Sequence, residues 1–407
     1  MSSAGGDVAA PAPAPGSFTA WRRSLGERIS QGDVGSLPVI LGLIVIWGVF
    51  QSLNPNFLSP RNLTNLILQI ADIGTIATGI VLVLLLGEID LSAGSVSGLA
   101  SSVMAVLNVK RGVPAPLAIG AAIAAGASIG FLQGAWFSRF RIPSFVVTLA
   151  GLVAWQGVQL LVLGETGTIN VFNPAIVNLT EYFLSAQAGW ALAVVVVLVV
   201  ILDAFLVRRR RAASGLDLPP LPGVIIRIAL ITIVVGVATF VLNSDRGLPE
   251  ALLILLGFVV VFHQVITRTK FGRYILAVGG NAEAARRAGI SVNTIRVAVF
   301  TLSGTMAACG GILAASRLLA VNQSSGSGDV LLNSIAAAVI GGTSLFGGRG
   351  SVWAAVTGAL VIGSISNGMD LLAYSSAIKF MVTGAVLLAA VTIDAVARQG
   401  RQAAGRA

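Results

Sequence analysis

Two carboxylates, two hydroxyls and two glycines crowd the segment Leu86-Gly87-Glu88-Ile89-Asp90-Leu91-Ser92-Ala93-Gly94-Ser95-Val96, which lies between long apolar runs. Carboxylates and hydroxyls accept or exchange hydrogen bonds with hydroxyl groups, so the cluster suits a polyol such as a sugar. Asp90 and Ser92 are the side chains it offers to a substrate path; in the alternative reading one of them caps the next helix. Asp72, near Gln69, sits inside the apolar run Leu63 to Leu86. An acid at a helix centre costs about 2.5 to 3.5 kcal/mol to insert into a bilayer. It must face the protein interior or a wet path, as a polar contact between helices or as a substrate contact. Gln156 and Gln159 lie three apart, near one helix face. They can line the same path or hold helices together.

A second polar cluster runs from Gly279 to Arg296. Asn281 is a ready N-cap, Glu283 falls in the first turn where the helix dipole favours it, and Arg286 and Arg287 follow. Gly289 is a natural helix terminator. A short, exposed helix with ordered charge reads as a docking surface for another protein, or more simply as a capped loop. The residues that would carry docking are Glu283, Arg286, Arg287 and Gly289.

Other chemistries find no residues. His263 and Cys309 are single, which leaves no internal disulfide and no basis for a His-based metal site. No phosphate loop of the Gly-x-x-x-x-Gly-Lys-Ser/Thr type occurs, and no nucleophile, base and orienter can be assembled. The chain reads as neither an enzyme nor an ATPase, and no cofactor is expected.

The elements that must position these clusters are membrane helices. Hydrophobic residues make up 56% of the 407 and charged ones only 10%, against roughly 25% charged in soluble domains. A bilayer core takes about 20 apolar residues per helix. About twelve such stretches are centred near Ile44, Thr75, Leu99, Ala125, Leu152, Val197, Ile233, Val259, Thr305, Ala338, Leu360 and Leu387. The expected fold is an all-α polytopic bundle of about 10 to 12 helices. Glycines four apart, as Gly94 and Gly98 or Gly126, Gly130 and Gly134, are expected to let helix backbones meet. The segment Ile340 to Val352 repeats the order of the first cluster, with glycine, polar residues, Leu, glycine and Ser-Val; this suggests two half-bundles related by an internal repeat.

Residues 1–36 are expected to be a disordered cytoplasmic tail, 37–394 the transmembrane domain and 395–407 a cytoplasmic C-terminal tail. With twelve crossings and the N-terminus inside, twenty of the 26 lysines and arginines fall on the cytoplasmic side, as the positive-inside rule asks. Only Arg61, Lys110, Arg111, Arg246, Arg317 and Lys379 fall outside. This accounts for the net charge of +10 through topology and anionic lipid rather than nucleic acid.

Gly87 to Ser95, Gly279 to Ile290 and Ile340 to Ser351 together resemble the membrane permeases of monosaccharide ABC importers, the ribose, arabinose and xylose group. Arg141 to Gly151 with Gly164 to Asn170 is most similar to the xylose-type branch. Glu283 to Gly289 also matches the Glu-Ala-Ala-x-x-x-Gly pattern of importer coupling loops. The resemblance implies a homodimeric permease in the cell inner membrane, two cytoplasmic ATP-binding subunits docked on that loop, a periplasmic sugar-binding protein and a monosaccharide substrate, D-xylose. It also leaves Trp190 to Val207 and Val224 to Leu242 as an additional pair of runs. The rival class is an ion-coupled secondary sugar transporter, which needs intramembrane titratable groups; Asp72 is nearly alone.

Overall fold

The computed structural model describes residues 37–403 except 165–166 and 217. The expected N-terminal tail, 1–36, lies outside the described residues, as do 404–407 of the C-terminal one.

The chain is helical nearly throughout. In order come α1 (Leu37–Leu53), α2 (Pro60–Leu85), α3 (Ala93–Ala105), a π turn (Val106–Lys110), α4 (Ala115–Phe140), α5 (Ser144–Leu163), β1 (Thr168–Asn170), α6 (Pro174–Glu181) and β2 (Phe183–Leu184). There follow α7 (Ala186–Ala213), α8 (Leu221–Asn243), β3 (Leu248–Pro249), α9 (Glu250–Arg268), α10 (Lys270–Gly280) and α11 (Ala282–Arg287). The chain closes with α12 (Val292–Leu318), β4 (Ala320–Asn322), α13 (Asp329–Ile340), α14 (Ala354–Leu371) and α15 (Ser376–Ala403). Among the described residues, eight helices are long and apolar enough to cross a membrane. All twelve expected centres fall on helices, but those at Leu99 and Ala338 fall on α3, of 13 residues, and α13, of 12. At 1.5 Å per residue these cover only about 20 and 18 Å, short of a bilayer core of about 30 Å. The last helix runs through the expected boundary at 394 without a break.

Two units make up the chain. The smaller, among the described residues, is the helical pair α7 and α8. Asn243 donates to the Ala186 carbonyl at one end of the pair and Arg208 to the Pro219 carbonyl at the other. Leu198, Leu202, Ile233 and Val234 are exposed, as lipid-facing side chains are.

In the larger unit α12 lies at the centre and packs on α2, α3 and α4. Glycine permits this closeness: a Cβ on Gly130 would stand 2.1 Å from the Phe300 carbonyl oxygen, and one on Gly126 2.4 Å from that of Gly304. The glycine spacing therefore serves packing. Helix directions follow from the contacts. α2 ends at Leu85 beside Gly279, at the end of α10, so one end of the bundle carries both polar clusters. α1 runs parallel to α14, with Trp47 bonded to Ser364 and Asn54 to the Leu371 carbonyl. α1 thus starts, and α15 finishes, at the Leu85 end. At the opposite end, β1 pairs antiparallel with β4 and β2 with β3.

Candidate functional site

The three sequence segments that stand out meet at the Leu85 end. The Gly348 amide donates to the Leu85 carbonyl at 2.9 Å. Gly87, in the left-handed region at φ +74, lies against Phe346 and Gly347, and a Cβ on Gly279 would stand 1.8 Å from the Leu85 oxygen. Glu88 then pairs with Arg296 at 2.6 Å. The two similar loops, Gly87 to Ser95 and Gly341 to Ser351, are thus tied to each other and to the base of the α10–α11 segment.

Beyond Glu88 the chain turns inward. Ile89 is held on α5 by Ser144 and Thr148. Asp90, 4% exposed, accepts from the Ser92 amide at 2.9 Å, the Ser92 hydroxyl at 2.7 Å and the Ser303 hydroxyl at 2.9 Å. Ser92 also lies 2.9 Å from the Gln133 amide. Ser303 stands eleven residues beyond Val292, about 16 Å along α12, so Asp90 is inside the bundle and braces the start of α3. Asp90 and Ser92 line none of the cavities described here.

The opposite half holds a cavity of about 530 Å³, lined among others by Asp72, Ser101, Arg317, Asn322, Asp329 and Asn333. Asp72 is buried and receives Nε and Nη2 of Arg317 at 3.1 and 2.9 Å, an interhelical pair on the cavity wall. A smaller cavity of about 230 Å³ shares Ile73, Arg317, Asp329 and Asn333 with it. The buried Asn333 Oδ1, on a side chain common to both, has no hydrogen-bond partner among the described residues. Gln159, 1% exposed, donates to the carbonyls of Asn322 at 3.1 Å and Ser325 at 3.0 Å. It holds the polar loop 323–328 against α3, where a Cβ on Gly98 would stand 2.0 Å from the Ser325 oxygen. Gln156, half-buried one turn earlier, lines neither cavity.

α11 has the local form expected of it. Asn281 accepts from the Ala284 amide at 2.9 Å, Glu283 pairs with Arg286 at 2.5 Å and Arg287 at 3.4 Å, and Gly289 closes the turn at φ +82. All three charged side chains are exposed, so these pairs contribute little to stability and leave the charges accessible.

The family described as branched-chain amino acid transport system, permease component, matches residues 62–391. The chain belongs to this permease family. Among its relatives, the xylose transport system permease protein XylH of Escherichia coli K12 is 39% identical over 343 residues, 84% of this chain and 87% of that protein. XylH of Haemophilus influenzae is 36% identical over 357 residues, 88% and 95% of the two chains. The ribose import permease protein RbsC of Escherichia coli K12 is 32% identical over 355 residues, 87% and 92%. No solved structure matches the chain.

The permease is a multi-pass membrane protein and a transport component rather than an enzyme. Its cavity contains side chains that sequence reasoning did not select: Arg317, Asn322, Asp329 and Asn333. Two signals were available. The run Asn322 to Asp329 is polar between apolar stretches, and Arg317 is a lone charge within the largely apolar run Val297 to Val321.

Proposed function

We propose that the permease is the membrane subunit of an ATP-driven importer that moves a monosaccharide, D-xylose, across the inner membrane. The observation that carries the sugar reading is the cavity of about 530 Å³ walled by carboxylates, amides, hydroxyls and one guanidinium. Such groups match a polyol by donating to and accepting from its hydroxyls, and the volume exceeds one pentose. The names of the XylH and RbsC relatives support a pentose. Asp72 with Arg317 lines the path, Gln159 fixes its wall, and Asp90 and Ser92 brace α3 beneath it.

In this reading the Leu85 end is cytoplasmic, as are both termini. Two permease copies form the path, and a periplasmic sugar-binding protein delivers substrate at the end bearing β1 and β4. Two ATP-binding subunits dock on Glu283, Arg286, Arg287 and Gly289. ATP drives alternating access only because it binds two states of the complex unequally.

Reconstitution of the complete complex tests this. Labelled xylose should enter proteoliposomes with ATP inside, in preference to ribose, arabinose and galactose. Uptake that follows an imposed proton or sodium gradient and ignores ATP would instead favour a secondary transporter. Glu283→Ala and Gly289→Pro should leave insertion intact and abolish uptake, the second because proline fits neither the positive φ nor the amide bond from Gly289 to the Arg286 carbonyl. Normal transport by both would remove the docking assignment.

A further inference from the structure

A second large cavity, of about 680 Å³, opens at the Leu85 end beside α11. It is basic: Arg141, Arg286 and Arg296 line it against one acid, Glu88. Arg286 shares Glu283 with Arg287, so the lining side chains carry an excess of at least one positive charge. Arg141 supplies it, since no ion pair engages it among the described residues, and it projects from a left-handed C-cap at φ 56. Two long helices begin in the same wall, α5 at Ser144 and α12 at Val292. Neither has a side-chain cap, and each N-terminus adds about half a positive charge. The positive charge around the cavity is therefore about +2 or more.

Two polar atoms in this wall lack partners among the described residues. Ser138, only 7% exposed, lines the cavity with its hydroxyl unbonded, and Arg296 Nε is buried and equally unbonded. Arg296 is otherwise well fixed, by Glu88 at 2.6 Å and by the Phe137 ring 5.8 Å away. An unpartnered hydroxyl and an unpartnered guanidinium N–H, both buried just behind the wall of a positive cavity at two helix N-termini, favour an oxyanion there.

We propose that this cavity is a binding site for a phosphate group, belonging to a small soluble phosphate monoester or to a lipid headgroup. A phosphate monoester carries about −1.5 to −2 at pH 7, which the positive charge described above balances. The cavity is far larger than phosphate alone, and Ser144, Ser291 and Asn293 on its lining suit a hydroxylated body attached to it. Because Arg286 belongs to α11 and Arg296 to α12, an occupant braces the docking helix against the central helix. The site does not depend on which sugar the other cavity carries.

The test uses the full chain in phosphatidylcholine nanodiscs, titrated with inorganic phosphate by calorimetry. Saturable binding is expected, weakened at least tenfold by Arg141→Gln and by Ser138→Ala and unchanged by the exposed control Arg273→Gln. Arg141 is exposed, so its variant keeps the fold even if Ser138→Ala perturbs it. Repeating the titration in discs containing phosphatidic acid, whose headgroup is a phosphate monoester, separates the sources. Persistence of binding there identifies a soluble phosphate site, and its loss identifies a headgroup as the occupant. No phosphate binding in phosphatidylcholine, or binding that Arg141→Gln leaves intact, overturns the proposal.

Discussion

Gly279 and Gly280 are neighbours of one type with opposite surroundings. A Cβ at 279 would meet the Leu85 oxygen at 1.8 Å and the Gly348 nitrogen at 2.7 Å, whereas one at 280 meets nothing within 4 Å. Gly279→Ala should therefore cost about 1 to 3 kcal/mol through displaced backbone, and Gly280→Ala less than about 0.5 kcal/mol. Thermal unfolding of the two variants in detergent checks this; equal midpoints would mean that the Leu85 junction has slack. The Asp72–Arg317 pair makes a second prediction. Asp72→Asn or Arg317→Gln alone leaves a charge without its partner. With Arg317 about a quarter exposed, each should cost about 1 to 3 kcal/mol, below the 3 to 5 kcal/mol of a fully buried pair. The double variant should recover much of that loss, since contacting residues are not additive, and additive losses would show that the pair is not coupled. Sequence alone marked Asp72 as an acid that must face protein or water. Its partner stayed hidden, because a contact across 245 residues leaves no local pattern.

At the scale of elements, periodicity located the helices well and their ends poorly. The apolar stretches around Leu99 and Ala338 look like full spans because apolar residues continue past the helix ends, Val106, Leu107 and Val109 after α3 and Leu345 and Phe346 after α13. Only the fold shows that α3 and α13 stop short and leave polar loops inside the bundle. Asp90 was legible as either a substrate contact or a cap, and its bonds to Ser92 and Ser303 favour the brace. Asp90→Ala would strip two hydroxyls and an amide of their acceptor, at about 1 to 3 kcal/mol for each buried group left unsatisfied. We expect weak expression and poor assembly, read by size-exclusion chromatography; a stable, monodisperse variant that only loses transport would return Asp90 to the substrate path. Gln159 offers a gentler probe. Without its two bonds to Asn322 and Ser325, loop 323–328 should loosen, so a cysteine at Ser324 should react several-fold faster with a maleimide in the Gln159→Ala background. An unchanged rate would mean that the glycine contacts of α3 suffice to hold the loop.

For the whole molecule, the unexpected feature is how the α7–α8 pair is joined to the larger unit. Leu184 pairs directly with Leu248, and Phe183 with Pro249, in antiparallel register. Two residues facing each other across such a ladder can be bridged by a two-residue turn. Replacing Ser185 to Gly247 by Asn-Gly should leave a chain that inserts, stays monodisperse and keeps its unfolding midpoint within a few degrees. Aggregation of that chain would show that the larger unit needs the pair to fold. The sequence displayed these two helices plainly as additional apolar runs but gave no sign of the register, since two-residue strands carry no periodicity.

α12 is one unbroken helix from Val292 to Leu318, about 40 Å long. Its first turn follows α11 and its last turn carries Arg317. Gly126, Gly130 and Gly304 bring α4 and α12 into backbone contact, leaving little compliance between them. The two helices thus behave as a stiff beam. A tilt of about 5° about one end of such a rod moves the other by about 3.5 Å. That stroke exceeds the reach of the hydrogen bonds between Arg317 and Asp72, so such a tilt would part the pair.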